Sequence, residues 1–505
     1  MNSNVYFSWT CPRIFQESGS IPIYRSKAKE RRFRALIGTL FLGLIGGCGE
    51  DRAIESSDPS NRETPSAVSV LKPGPMDGKN IVLIVVDTLR VDHLQIGGYH
   101  KDTAPFLTSL AKQGVIFANA YSAASWTAPA MASMFTSVYP DHHGVTTGLH
   151  FFTKDIDPTG EAEAIGLNRI PEMAITLPEV MQKAGYRTFG IADNPNICNE
   201  MGFTRGFDKF DGGSYRGAPK VTAKVHEWSE EILEGDAPFF LYLHYMDPHK
   251  PYHLHGATYE DKAASYAAEL KVQAALYDTE IKYMDMFFKE VFEGLKLDKN
   301  SLVIFVSDHG EEFGEHGGTG HGVRLHEELI RVPLFLVAFD ENGTPVFDPQ
   351  KIRKTTSTID IMPTLRELLN LPSGELEEGR SLAPFVLNES APNDGDDRIV
   401  FSHRAGVRKG EEVVLHSVVV GRLKLLSSGG GRAATLVDLI EDPGELKDLA
   451  AERPEEYARM NQILESHLAR PRAVQREFGG DFELSKEGLE ELGRLGYLDG
   501  EPGPK

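Results

Sequence analysis

The sequence predicts an α/β fold: a largely parallel central sheet with helices on both faces, plus a small C-terminal α+β domain. Three observations predict it. Apolar, β-branched runs alternate with helical segments along most of the chain, the order that builds parallel sheets. The run Ile81-Val82-Leu83-Ile84-Val85-Val86 is apolar at every position, as in a strand buried on both faces. Several such runs stop at polar strings carrying Asp, Asn or His, and open α/β sheets gather their chemistry at strand carboxyl ends.

The chain has 505 residues, 41% hydrophobic and 25% charged, enough for a large core and a second, smaller domain. With 53 basic and 74 acidic residues the formal net charge is -21, which argues against nucleic acid as a partner. Cys11, Cys48 and Cys198 are its three cysteines. Cys48 follows a charged stretch, 25–34, and a short apolar segment, 35–47. A charged flank, a short apolar core and small residues at its end are the parts of a secretory signal. Leu44-Ile45-Gly46-Gly47-Cys48 resembles the bacterial lipoprotein cleavage box, whose cysteine is lipidated and becomes the new N-terminus. An uncleaved apolar anchor is the other reading of 1–48, and Arg31-Arg32 is a weak twin-arginine candidate. The expectation is a protein of the cell envelope, held at the membrane through Cys48, or secreted. Residues 49–78, rich in Ser, Pro, Asp and Glu, read as a flexible tether.

The catalytic body is expected over 79–388. After the Ile81 strand, Phe106, Leu107 and Leu110 fall at helical spacing between Thr103 and Gly114. A strand is predicted from Val115 and a helix from Thr127 to about Ser137, with Pro129 in its first turn. The stretch 151–173 is polar and irregular and reads as a surface excursion. Helices over 176–184 and 220–233 flank strands at 186–192 and 239–243. A long amphipathic helix covers 263–295, with Leu270, Ala274, Tyr277, Ile281, Met284 and Phe288 on one face. Strands at 302–306 and 332–338 and a helix at 359–369 complete the body. The small domain is expected over 389–449, with antiparallel strands at 413–420 and 422–426 and a third at 435–439. Residues 450–505 read as a charged, mostly helical tail.

Three strand ends deliver the chemistry. The Ile81 run ends in Asp87, the 239–243 run in His244 with His249 just beyond, and the 302–306 run in Asp308-His309. A parallel sheet brings such ends to one rim, where two carboxylates, an imidazole and the Thr127 hydroxyl make a nitrogen–oxygen set for a divalent cation. Thr127 opens a helix, where free N–H groups and the helix dipole seat an anionic ester. Taken singly, Thr127 reads equally well as a helix cap and Asp87 as the start of a turn. His321, in Gly320-His321-Gly322, is a further candidate, although each histidine alone is more often a packing residue.

The strings 80–90, 125–144, 247–252, 307–317 with 320–322, 327–333, 360–371, 379–382 and 436–449 stand in one order. Through them the chain resembles the sulfatase family of the alkaline-phosphatase-like superfamily, from Asn80 to about Leu382 and less tightly to Leu449. The resemblance implies that Asp87, Asp308 and His309 are metal ligands and that Thr127 stands at the nucleophile. It implies that His249 steadies the leaving oxygen and that Asn194 is a polar substrate contact. His244 and His321 resemble histidines around the phosphate in related phosphoethanolamine transferases. The implied cofactor is a divalent ion: zinc, manganese or calcium.

The chain also departs from the family pattern. Sulfatases read Cys-x-Pro-x-Arg and oxidise the cysteine or serine to formylglycine; here the string is Thr127-Ala128-Pro129-Ala130-Met131. Thr88 replaces the usual second aspartate, and His309 replaces an asparagine common in sulfatases, which favours a transition metal over calcium. A formylglycine hydrate releases sulfate by collapsing to the aldehyde, whereas a sulfated threonine must be attacked directly. A threonine hydroxyl beside a metal is a workable nucleophile for phosphorus. The expected activity is hydrolysis of sulfuric or phosphoric esters. The alternatives are transfer of a phosphoryl-linked group to an envelope lipid or glycan, and a non-catalytic binding protein.

Overall fold

A computed structural model of the chain describes residues 74–148, 166–212, 217–255, 266–389, 398–408, 411–428, 433–471 and 477–481. The expected signal with Cys48, most of the tether, most of the 151–173 excursion and the end of the tail lie outside the described residues.

The first half of the body runs β1 (Asn80–Val86), α1 (Pro105–Ala111), β2 (Val115–Tyr121), α2 (Thr127–Thr136), α3 (Pro140–His143), β3 (Gly166–Arg169), α4 (Leu177–Lys183), β4 (Arg187–Ala192) and β5 (Lys209–Asp211). The second half opens with α5 (Ala218–Leu233), β6 (Phe239–Tyr245), α6 (Tyr266–Gly294), β7 (Ser301–Ser307), β8 (Glu312–Phe313) and β9 (Thr319–Gly320). It closes with α7 (Glu327–Ile330), β10 (Arg331–Val332), β11 (Leu334–Phe339), β12 (Gln350–Ser357), α8 (Ile361–Leu368) and α9 (Ala383–Val386). Then come β13 (Ile399–Arg408), β14 (Glu411–Val420), β15 (Leu423–Ser428), β16 (Thr435–Asp438), α10 (Pro454–Leu468) and β17 (Glu477–Asp481).

Nine strands form the central sheet. β1 lies between β6 and β7 and is parallel to both. β4 and β5 extend the parallel run beyond β6. On the other side β11 enters antiparallel to β7 and to β2, and β12 joins β2 in parallel. The period-2 side-chain alternation of β1 explains its unbroken apolar run: Ile81, Leu83 and Val85 enter one core, and Val82, Ile84 and Val86 the other. Helices α2, α4, α8 and α9 cover the first face, and α1, α5 and α6 the second. Burial on both sides makes the central strands apolar along most of their length, with polar residues such as His244 and Ser307 toward their carboxyl ends.

Register sets the rim. Val86 is level with Tyr245 of β6 and Ser307 of β7, so Asp87 and Asp308 leave the sheet side by side.

The small domain is a four-stranded antiparallel sheet, β13-β14-β15-β16. α10 packs on it through Met460 and Leu464, against Val418, Leu425 and Leu436. Several strands depart from the sequence expectation, among them β17 in the tail read as mostly helical and β3, β12 and β13. β12 and β13 carry charged and polar residues among the apolar ones, which hides them from a hydrophobic-run reading. Residues 166–169 of the supposed irregular excursion form β3, which pairs with β17 more than 300 residues later. Nothing local in 166–169 announces that partner.

Candidate active site

Thr127 is the first residue of α2, and Trp126, not Thr127, occupies the capping position without a side-chain cap. The capping role is therefore absent, and the hydroxyl is spent elsewhere. Its oxygen lies 3.2 Å from Oδ2 of Asp87 and 3.3 Å from Nε2 of His309. All three side chains are buried.

The two strand-end aspartates and His309 converge. Nε2 of His309 is 3.5 Å from Oδ1 of Asp87 and 3.5 Å from Oδ2 of Asp308. Nδ1 of the same ring donates to the Gly310 carbonyl at 2.9 Å, which leaves Nε2 with its lone pair toward the carboxylates. Asp308 Oδ1 accepts from the backbone N–H groups of His309 at 2.8 Å and Thr88 at 3.3 Å. Oδ1 of Asp87 and Oδ2 of Asp308 are buried and have no hydrogen-bond partner. Orphaned carboxylate oxygens inside a protein are costly unless a cation takes them. The donor set, two carboxylate oxygens and an imidazole nitrogen with a hydroxyl alongside, fits a divalent transition metal such as zinc or manganese.

The electrostatics agree. Burial raises the pKa of Asp87, but a hydrogen bond from His244 and the nearby His309 and His249 outweigh it and hold that carboxyl well below the usual range. Burial and the Asp87 charge push Asp308 well above it. Burial and the neighbouring His321 push His309 down to about 3, so its imidazole is neutral, the form that binds metal.

The remaining expected residues gather round this centre. The Asn194 amide donates to Oδ2 of Asp87 at 2.6 Å and reaches the Thr127 oxygen at 3.3 Å. His244 Nε2 sits 3.4 Å from Oδ2 of Asp87, with the Tyr242 hydroxyl at its Nδ1 at 2.8 Å. Both side chains thus act on the Asp87 carboxylate. The His321 ring lies 4.6 Å from that of His309 and 5.0 Å from that of His249, centre to centre. His249 Nδ1 donates to the Lys250 carbonyl at 2.5 Å. Met131, two residues after Pro129, is fully buried in the core.

Sequence reasoning missed Glu311. Its Oε1 meets His321 Nδ1 at 3.1 Å, and its Oε2 accepts from Tyr252 at 3.0 Å. It also missed Tyr242 and Tyr252. Their only signal was position: one lies inside a buried strand, the other just past His249.

A family model described as Sulfatase matches residues 79–371. The chain belongs to the sulfatase family. It is by class an ester hydrolase or transferase. Arylsulfatase K of Gallus gallus is 23% identical over 469 residues, covering 78% of this chain and 83% of that protein. Phosphatidylethanolamine transferase Mcr-1 of Escherichia coli is 26% identical over 333 residues, 62% of this chain and 57% of that one. Among solved structures, the phosphonate monoester hydrolase of Silicibacter pomeroyi superposes with a TM-score of 0.60 at 18% identity, covering 80% of this chain and 100% of that one. That likeness establishes the shared fold. The relatives span sulfuric and phosphorus esters by their names, so the substrate class of this chain has to be argued from its own site.

Proposed function

We propose that this chain is a metal-dependent enzyme acting on phosphoric or phosphonic esters, with Thr127 as nucleophile. The observation that carries the reading is the Thr127 hydroxyl, held between Asp87 and His309 beside two orphaned carboxylate oxygens. A divalent ion held by Asp87, Asp308 and His309 would favour loss of the Thr127 proton and draw charge from the ester oxygens.

The chain's own groups supply the rest. Asp87 and Asn194 orient the Thr127 oxygen at the N-terminus of α2, whose free N–H groups face an incoming anion. Attack forms the bond from Thr127 oxygen to phosphorus and breaks the bond to the leaving oxygen. His321, backed by the buried Glu311, holds a proton for that leaving oxygen, with the His249 ring beside it at 5.0 Å between ring centres. Water or an alcohol then displaces Thr127 from phosphorus, which makes the enzyme a hydrolase or a transferase. Threonine cannot release sulfate by collapsing to an aldehyde, and the family's arginine is absent, so sulfuric ester hydrolysis is the second reading. Its support is the likeness to arylsulfatase K over most of both chains.

An assay of aryl sulfate, aryl phosphate and an aryl phosphonate ester, run side by side with zinc, manganese or calcium, tests the proposal. Turnover of the phosphorus esters, lost in Thr127→Ala, is the expected result. Faster turnover of the sulfate would overturn it, and no turnover with no bound metal would leave a binding protein.

We also propose that the protein is held at the cell envelope through lipidated Cys48, on the sequence pattern of 25–48. Among the described residues no helix is long and apolar enough to cross a membrane. Labelling cells with palmitate should mark the wild type and not Cys48→Ser; an unlabelled wild type would remove the anchor.

A further inference from the structure

The geometry points to a second divalent-metal site, formed by Asp141, His142 and His467 where α10 meets α3. These residues lie outside the catalytic centre and take no part in the chemistry proposed for it. Asp141 and His142 belong to α3, which follows the nucleophile helix α2, and His467 is on the last turn of α10. One donor atom from each falls within 4.8 Å of the other two.

Three observations favour an ion there over a plain ion pair. The first is spacing. Two ligands of a tetrahedral zinc, each at about 2.0–2.1 Å, stand about 3.3–3.4 Å apart. Asp141 Oδ2 is 3.2 Å from His467 Nε2 and 3.7 Å from His142 Nε2, which brackets that value. The second is the outer partner of His142. Its Nδ1 meets Glu378 Oε1 at 2.7 Å, and Glu378 Oε2 is fixed by the Tyr139 N–H at 2.8 Å. A carboxylate on one ring nitrogen is the arrangement that orients a metal-binding histidine and makes its other nitrogen more basic.

The third is what is left unpaired. His142 Nε2, one of the atoms that face the site, is buried without a hydrogen-bond partner, and so is the second oxygen of the Asp141 carboxylate, Oδ1. His142 and His467 are only 4% and 3% exposed, so water does not meet this need freely. The His467 ring is held in place by stacking on Phe401 at 3.9 Å and by the edge of Tyr139. Two imidazoles and one carboxylate make a zinc-type set rather than a calcium one. An ion here would tie the C-terminal helix to the segment that leaves the nucleophile helix, so its effect is on stability.

The test uses the full chain, stripped of metal and titrated with zinc. The wild type should bind about two zinc ions and His467→Gln about one. Asp308→Asn with His309→Gln, which removes the catalytic ligands, should still bind about one, and zinc should raise its melting temperature by about 3 °C or more. Adding His467→Gln to that pair should abolish both effects. Equal zinc content in the wild type and His467→Gln would overturn the site. So would an Asp308→Asn, His309→Gln protein that takes up no zinc, or one whose zinc survives His467→Gln. Because the readouts are zinc content and melting, they stand whether or not any ester is turned over.

Discussion

Nδ1 of His321 lies 3.1 Å from Oε1 of Glu311, a contact in which the carboxylate is fully buried and the imidazole 16% exposed. Burial by itself would lower the histidine pKa. The Glu311 carboxylate beside it overrides that effect and raises it above the ordinary value.

The pairing makes His321 a proton holder and predicts a pH effect. An acid group must be protonated to act, so activity falls as pH rises through its pKa. Glu311→Gln removes the charge that raises this pKa. The alkaline limb of the kcat profile should then move to lower pH, with kcat down roughly 10–100-fold near neutrality. An unmoved limb would remove His321 from the proton transfer.

Thr127→Ala should lower kcat by roughly 10³-fold or more, since it deletes the atom that forms the covalent bond. Thr127→Ser should retain part of the rate. Circular dichroism melts should show both variants folded, because the hydroxyl caps no helix. Full activity in Thr127→Ala would exclude it from the mechanism.

Asp308→Asn separates metal binding from folding. With no cation present, burial and the Asp87 charge keep the Asp308 carboxyl protonated well above its usual range. A raised carboxyl pKa means that the metal-free fold loses stability as pH climbs past the unfolded value of 3.8. The amide has no such charge. Metal-free Asp308→Asn should therefore melt no lower than metal-free wild type at pH 8, yet lose the catalytic ion and turnover. A clearly lower melting temperature would make Asp308 a structural residue.

Glu280 offers a second pH test away from the metal. Burial pushes its carboxyl up to about 7 from 4.5, against the backbone N–H of His253, which lowers it. Ionised above that pH, it opposes the fold by on the order of 3 kcal/mol. The penalty is absent below about pH 4.5 and grows as pH rises to 7. Glu280→Gln should raise the melting temperature at pH 8 and change it little at pH 5; equal effects at both would rule out this origin.

The central sheet and its rim were legible because burial on two faces writes long apolar runs, and because Asp87, His244 and Asp308 stand where those runs stop. Thr127 was legible as a helix start, although its hydroxyl turned out to serve the aspartates. Glu311 was not, since it stands beside Glu312 and Glu315 in an acidic string with no local mark. Its role depends on His321, ten residues on, folding back beside it. β13 was hidden because Ser402, His403 and Arg404 look like surface residues. They are buried against the body, where their polar groups find partners.

Those partners have a practical consequence. Ser402 donates to the Ser122 carbonyl, and the His403 N–H to that of Ala123, both on the link that leads to Thr127. Arg404 holds the carbonyl of Gly322, whose own N–H bonds Ser125. A shortened chain ending at residue 371, where the family match ends, would keep Thr127, every proposed catalytic metal ligand and every catalytic histidine. It would lack the clasp that sets the Thr127 link and the His321 loop at their working distance. Fragments cut at that point are poor tools for activity screening, and tags or fusions belong beyond α10.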